Sequence, residues 1–149
     1  MRAVVQRVAW ARVVIDGKNV GEIPKGIMLL IGFAADDNEA AMDYMIDKTL
    51  HLRIFEDADG KMNLSLADID GGLLVVPNFT LYGDTRKGRR PGYSSGASPA
   101  VAEGIYNRFI EALKSKYSKV ETGVFQAEMQ VELVNDGPVT LLLDSTKIF

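Results

Sequence analysis

The stretch Met129-Gln130-Val131-Glu132-Leu133-Val134-Asn135-Asp136-Gly137-Pro138-Val139-Thr140-Leu141-Leu142-Leu143 decides how the chain is read. From Met129 to Val134 apolar and polar residues alternate, the period of a half-buried strand. Val139 to Leu143 is a short apolar run that suits a buried strand. Between them, Asn135 to Pro138 are all residues that punctuate structure. Asn and Asp tolerate unusual backbone angles, Gly has no Cβ, and Pro fixes φ and lacks an N–H. Two readings stand: a hairpin turn, or a Gly137-Pro138 step that presents bare main-chain oxygens to another group.

The rest of the chain is read outward from there. Ala3–Val8 and Ala11–Ile15 are rich in strand formers, and Asp16-Gly17 is a strong hairpin signal. The return strand is Lys18–Ile23, turned by Pro24-Lys25-Gly26. Ile27 to Phe33 is apolar on both faces and predicts a central strand. A helix follows, with Asp36 and Glu39 spaced as a capping box. Met42, Met45, Ile46, Thr49, Leu50 and Arg53 share one helical stripe, and His51 lies off it. Asp57-Ala58-Asp59-Gly60 lacks the glycine position of a calcium loop and predicts a turn between short strands. Gly71-Gly72 opens a strand, Leu73–Val76, and Pro77 marks a bulge, an edge or its end. Ser98 and Pro99 predict the start of a second helix, with Ala102, Ile105, Tyr106, Phe109, Leu113 and Tyr117 inward. Val120 to Leu143 is expected to be mainly β.

Composition limits the chemistry. The 149 residues suggest one domain, residues 1–149. A net charge of −3 gives no global attraction to nucleic acid, so an RNA site has to be a local patch. Cysteine is absent and His51 is the one histidine, which excludes disulfides, a cysteine nucleophile and a multi-histidine metal centre. No metal or cofactor is expected. No signal-peptide pattern and no run long enough to span a bilayer is present, so a cytosolic protein without a membrane partner is expected.

Few side chains offer catalysis. There is no G-x-S-x-G elbow and no Ser-His pairing near Thr80. Thr80 has three readings: a nucleophile with a base brought from elsewhere, a strand-end hydroxyl bonded to backbone, or a group that orients substrate or water beside main-chain N–H donors. The last suits the sequence best. Gly83 to Ala97 is a long loop carrying Arg86, Lys87, Arg89, Arg90 and Tyr93. It reads either as a solvated charge run or as a phosphate-binding loop with an aromatic face for a single-stranded end. Arg2, Arg7, Arg12, Lys114, Lys116 and Lys119 could extend that patch. Arg7 lies within an apolar strand and needs a carboxylate or carbonyl partner.

Asn135-Asp136-Gly137-Pro138-Val139-Thr140 together with Asn78-Phe79-Thr80-Leu81 resembles the motif pair of the D-aminoacyl-tRNA deacylases. The similarity begins at Met1-Arg2-Ala3-Val4-Val5-Gln6-Arg7-Val8 and runs to about Leu143, through Arg53-Ile54-Phe55, Gly60-Lys61-Met62-Asn63-Leu64 and Gly96-Ala97-Ser98-Pro99. The resemblance implies a mixed, largely antiparallel α/β fold in three α/β/β layers, with two helices on one face of a sheet and a second sheet behind. It implies hydrolysis of the ester bond of D-aminoacyl-tRNA, with the hydroxyl next to the ester on the terminal ribose assisting attack. It implies a site formed by Asn78, Phe79 and Thr80, and a chiral gate in which Gly137-Pro138 is cis, supported by Arg7 and Gln6. The gate is expected to cross into the partner subunit of a homodimer that binds the 3′ acceptor end, with Arg86, Lys87, Arg89 and Arg90 on the tRNA. Pro77-Asn78 departs from the usual Ser-Gln before Phe-Thr-Leu. Pro in that place is similar to a related group acting on a mischarged L-alanyl-tRNA, while Phe79 and Pro138-Val139-Thr140 keep the D-specific form. Arg90-Pro91-Gly92-Tyr93 also differs from the usual Arg-Pro-Ser-Phe. Glycyl-tRNA as a further substrate, a deacylase of mischarged L-aminoacyl-tRNA, a non-catalytic RNA-binding module and a small-molecule-binding oligomer are the other readings.

Overall fold

The computed structural model describes residues 1–148. Its organising strand is β1 (Arg2–Ile15), one continuous strand where the sequence suggested two. Along one edge it pairs antiparallel first with β3 (Gly26–Gly32) and then with β2 (Lys18–Ile23). Its other edge is covered by β8 (Gln130–Asp144). The turn from β1 to β2 is at Asp16 and Gly17, with φ of 49° and 74°. Both angles are left-handed, which is why Asp-Gly serves there.

β3 carries the sheet onward to β6 (Gly72–Pro77) and β7 (Val120–Thr122), both parallel to their neighbours. The order is β2-β1-β3-β6-β7, with β8 on β1. Gly26 and Gly72 face each other so closely that a Cβ on Gly26 would lie 1.9 Å from the Gly72 carbonyl oxygen. Only glycine allows the β3–β6 pair to begin there.

Side-chain alternation splits β3 and β6 between two cores. Ile27, Leu29, Ile31, Leu73 and Val75 face the helices, α1 (Glu39–His51) and α2 (Pro99–Lys116). Met28, Leu74 and Val76 face the other way, onto Val8, Ala11, Val13 and Ile23. The three layers stand as expected, but the second β layer is a continuation of the same hydrogen-bonded sheet. The far halves of β1 and β8, with β2, fold over the back of β6 and β7.

The helix stripes are buried at Met42, Met45, Ile46, Thr49 and Leu50 on α1, and at Ala102, Ile105, Tyr106, Phe109 and Leu113 on α2, while Tyr117 caps the end of α2 and is half-buried. Arg53 lies beyond the end of α1 and bonds Asn63 instead. The cap of α1 is Asn38, whose side chain accepts from the Ala41 N–H at 3.0 Å. Asp36 does not cap. Asp37, next in sequence, accepts from the Ala34 N–H at 2.7 Å and pairs with the Met1 ammonium. Ser98 holds the cap position of α2 without a side-chain bond, and Pro99 opens the helix. β4 (Phe55–Glu56) and β5 (Met62–Leu64) flank the Asp57–Gly60 turn as predicted. Among the described residues no helix is long and apolar enough to cross a membrane.

The stretch that opened the reading is not a hairpin. Both flanks of Asn135–Pro138 pair with β1 in one direction: Val131 with Val13 and Asn135 with Val8 before it, Thr140 with Gln6 and Leu143 with Ala3 after it. Opposite Arg7 the strand steps out and returns, so the turn residues form a bulge rather than a reversal. Nor is the apolar flank a buried strand. Val139 is buried, but Leu141 and Leu142 are both exposed, on opposite faces of the strand.

Candidate active site

β6 ends at Pro77, and the chain turns into a short 3-10 turn, Phe79–Tyr82. Asn78 sets the turn. Its side-chain oxygen accepts from the Thr80 N–H at 3.1 Å and from the Thr80 hydroxyl. Thr80 therefore sits on a turn past the strand, not in the strand. Its proton is committed to an amide oxygen, which is no base, and its lone pairs are left to accept. The Phe79 N–H, at the first position of the turn, has no hydrogen-bond partner among the described residues, and is a donor of the kind an oxyanion needs.

Beside this turn is a cavity of about 850 Å3 lined largely by apolar side chains. Leu30, Val76, Pro77, Asn78 and Phe79 form one wall, and Tyr93, Ala97, Ser98 and Pro99 another. The third wall is the connection between β7 and β8, residues 123–129, which is not strand as the sequence suggested. The Tyr106 hydroxyl donates to the Gly123 carbonyl at 3.2 Å, and Phe125 stacks on Tyr106 at 5.9 Å. Burial pushes the Tyr106 hydroxyl up to about 12, so it stays a proton donor at any ordinary pH. Phe79, 64% exposed, meets Tyr93 edge-on at 5.2 Å at the cavity mouth.

A second cluster forms around the β8 bulge. Arg7 is buried, as an Arg with good partners can be. Its Nη1 donates to the Ile54 carbonyl at 2.6 Å, and its Nε donates to the Asp136 carbonyl at 3.2 Å. Asn135 Nδ2 donates back to the carbonyls of Arg7 and Val139, at 2.9 and 3.1 Å. Gln6 Nε2 donates to the Thr140 hydroxyl at 3.2 Å. These bonds fasten both ends of Gly137-Pro138, whose peptide bond is cis, while the two residues themselves remain exposed. Neither residue lines the cavity beside Thr80 of its own chain.

The basic loop is exposed, and Asp84 and Gly92 bridge its ends. Arg86 is held by Asp84 through two side-chain bonds, of 2.9 and 2.7 Å. Hydrogen bonds from the Arg86 side chain and N–H hold the Asp84 carboxyl well below the usual carboxylate range. That leaves Lys87, Arg89 and Arg90 as the more available cations. Four of the cations that could extend the patch are held in ion pairs. Arg2 pairs with Asp144, Arg12 with Glu132, Lys116 with Asp43 and Lys119 with Asp70. His51 is exposed beside Asp47, apart from the site.

Of the residues singled out from sequence, Asn78, Phe79 and Thr80 share one turn beside the cavity, and Gly137-Pro138 stands in a separate cluster. Sequence reasoning missed the 123–129 wall, including Phe125, Gln126, Glu128 and Met129. Its only signal there was Gly123, where a Cβ would lie 2.6 Å from the Met129 sulfur.

A family model described as D-Tyr-tRNA(Tyr) deacylase matches residues 4–144. A protein named D-aminoacyl-tRNA deacylase from Thermosipho africanus (strain TCF52B) is 58% identical over 149 residues, covering 100% of each chain. One of the same name from Clostridioides difficile (strain 630) is also 58% identical, with 100% of each chain covered. A solved structure named c-Myc DNA Unwinding Element Binding Protein superposes with a TM-score of 0.92 at 39% identity, over 97% of this chain and 98% of that one. The chain belongs to the D-Tyr-tRNA(Tyr) deacylase family.

Proposed function

We propose that the chain is a hydrolase that splits the ester bond of D-aminoacyl-tRNA, releasing D-amino acid and tRNA. The observation that carries this is the full-length identity to relatives of that name, combined with the Asn78–Thr80 clamp beside a cavity that Asn78 and Phe79 line. In this reading the cavity takes the 3′ acceptor end. The Phe79 N–H stabilises the developing oxyanion, and Thr80 accepts a hydrogen bond from the ribose hydroxyl or water that assists attack. Thr80 is not the nucleophile. Lys87, Arg89 and Arg90 contact phosphates of the incoming strand.

The site is completed by a second copy. Gly137 and Pro138 are exposed and lie outside their own cavity, held from behind by Arg7 and Asn135. Val134, Leu141 and Leu142 leave apolar surface exposed along the same strand, which favours pairing with another copy of the chain. In the homodimer each Gly137-Pro138 enters the partner's cavity and occupies the space an L side chain would need. A D side chain points away.

Hydrolysis of D- and L-tyrosyl-tRNA by the purified protein tests the activity. Turnover of the D ester with the L ester spared is expected, and equal turnover of both or of neither rejects the reading. Glycyl- and L-alanyl-tRNA belong in the same assay because Pro77 and Asn78 line the cavity. Leu142→Glu tests the pairing by sedimentation. A monomer without activity but with native circular dichroism is expected, and an active monomer excludes a shared site.

A further inference from the structure

Among the residues lining the cavity, Gln126 alone has a left-handed backbone, with φ of 61°. A side chain with a Cβ is strained there, and glycine would be at ease. The short amides and carboxylates that tolerate this region do so by bonding to nearby backbone, an option the longer Gln side chain lacks. The conformation is imposed from behind, since Tyr106 fixes Gly123 and Phe125 on the buried side of the same connection. The Gln126 side chain is exposed, and its amide makes no hydrogen bond among the described residues.

Its neighbours on the cavity wall are Phe125, Ala127 and Met129. Their side chains are apolar and offer a ring no N–H or O–H group. Asn78 has its oxygen engaged by Thr80. Glu128 only accepts when ionised. Gln126 presents a donor and an acceptor side by side in one plane. That pair matches the N7 acceptor and N6 amine donor of adenine, the pairing that glutamine makes with adenine elsewhere. The last nucleotide of a tRNA is adenosine.

We infer that Gln126 is a specificity-determining residue that reads the edge of the terminal adenine, Nε2 donating to N7 and Oε1 accepting from the N6 amine. The inference rests on the deacylase reading above. It accounts for a strained glutamine on the wall of a substrate cavity: the backbone tolerates the position for what the side chain recognises.

The test uses two D-tyrosyl-tRNAs that differ only in the last base, one ending in adenosine and one in purine riboside, which lacks the exocyclic amine. The wild type is expected to favour adenosine in kcat/KM by roughly three- to tenfold, the worth of one hydrogen bond. In Gln126→Gly that preference falls to about one while Tm rises, because glycine relieves the left-handed strain. A preference unchanged in Gln126→Gly, or absent from the wild type, overturns the inference and leaves the deacylase reading intact. No turnover of the ordinary substrate by the wild type overturns both.

Discussion

Arg7 Nε lies 3.0 Å from an Asp136 carboxylate oxygen, although Arg7 is buried and the Asp136 side chain is 45% exposed. The guanidinium also takes two carbonyls, on Asp136 and Ile54, so it fastens the β8 bulge to the start of β4. Lysine cannot make that fork. Arg7→Lys and Arg7→Ala are expected to cost about 1–3 kcal/mol, because carbonyls lose their partner in a buried place. Urea unfolding measures this. In Arg7→Lys, deacylation should fall further than stability alone explains, since the bulge loses its orientation.

Thr80→Ala removes the hydroxyl but leaves the Phe79 N–H in place. The expected loss in kcat is at most about 10²–10³-fold, the worth of one oriented group. Thr80→Ser should retain most activity. Intact-mass spectrometry during turnover should detect no acyl-enzyme, and an ester on Thr80 would overturn the assignment.

Replacing Lys87, Arg89 and Arg90 together with Ala should weaken tRNA binding and flatten its salt dependence. With a single-stranded end, each lost contact removes about 0.7 from the log–log slope, so about 2 in all. Arg86→Ala should act differently. Its guanidinium is tied to Asp84, so the change loosens the loop more than it alters the slope.

Asp84 gives the clasp a pH signature. Its folded carboxyl titrates below the ordinary value because of Arg86. The clasp is therefore complete above the ordinary Asp range, near pH 4, and is lost as pH falls through the depressed value. From pH 5 to 8 its strength should not change. A carbon-13 titration of the Asp84 carboxyl should show the depressed midpoint, and Arg86→Ala should bring it back toward the ordinary value.

Much of the fold was legible. The Asp16-Gly17 turn, the two-faced apolar run of β3 and the stripes on both helices carry their own local physics. The bulge at Asn135–Pro138 was not, because Asn, Asp, Gly and Pro favour a step out of line whether or not the chain then reverses. What decides is the partner, and the partner is β1, more than a hundred residues away. The exposure of Leu141 and Leu142 was hidden for a similar reason: an apolar run looks the same whether it faces a core or a solvent-side face. Within the site, Asn78 and Thr80 stood out by motif. Gln126 did not, since nothing in a glutamine's identity announces a positive φ.

β1 and β8 are paired from Arg2 with Asp144 to Val14 with Gln130. Of the strands described, β1 is synthesised before the others and β8 after them. Until β8 emerges, a long apolar edge of β1 has no intramolecular partner and is open to other chains. The pairing is among the most distant in sequence that the fold requires, and contacts of that kind close late. The nascent chain therefore carries the Asn78–Thr80 turn before it can hold Gly137-Pro138. An incomplete chain has the turn without the Gly137-Pro138 step, which comes with β8, the last strand of the fold.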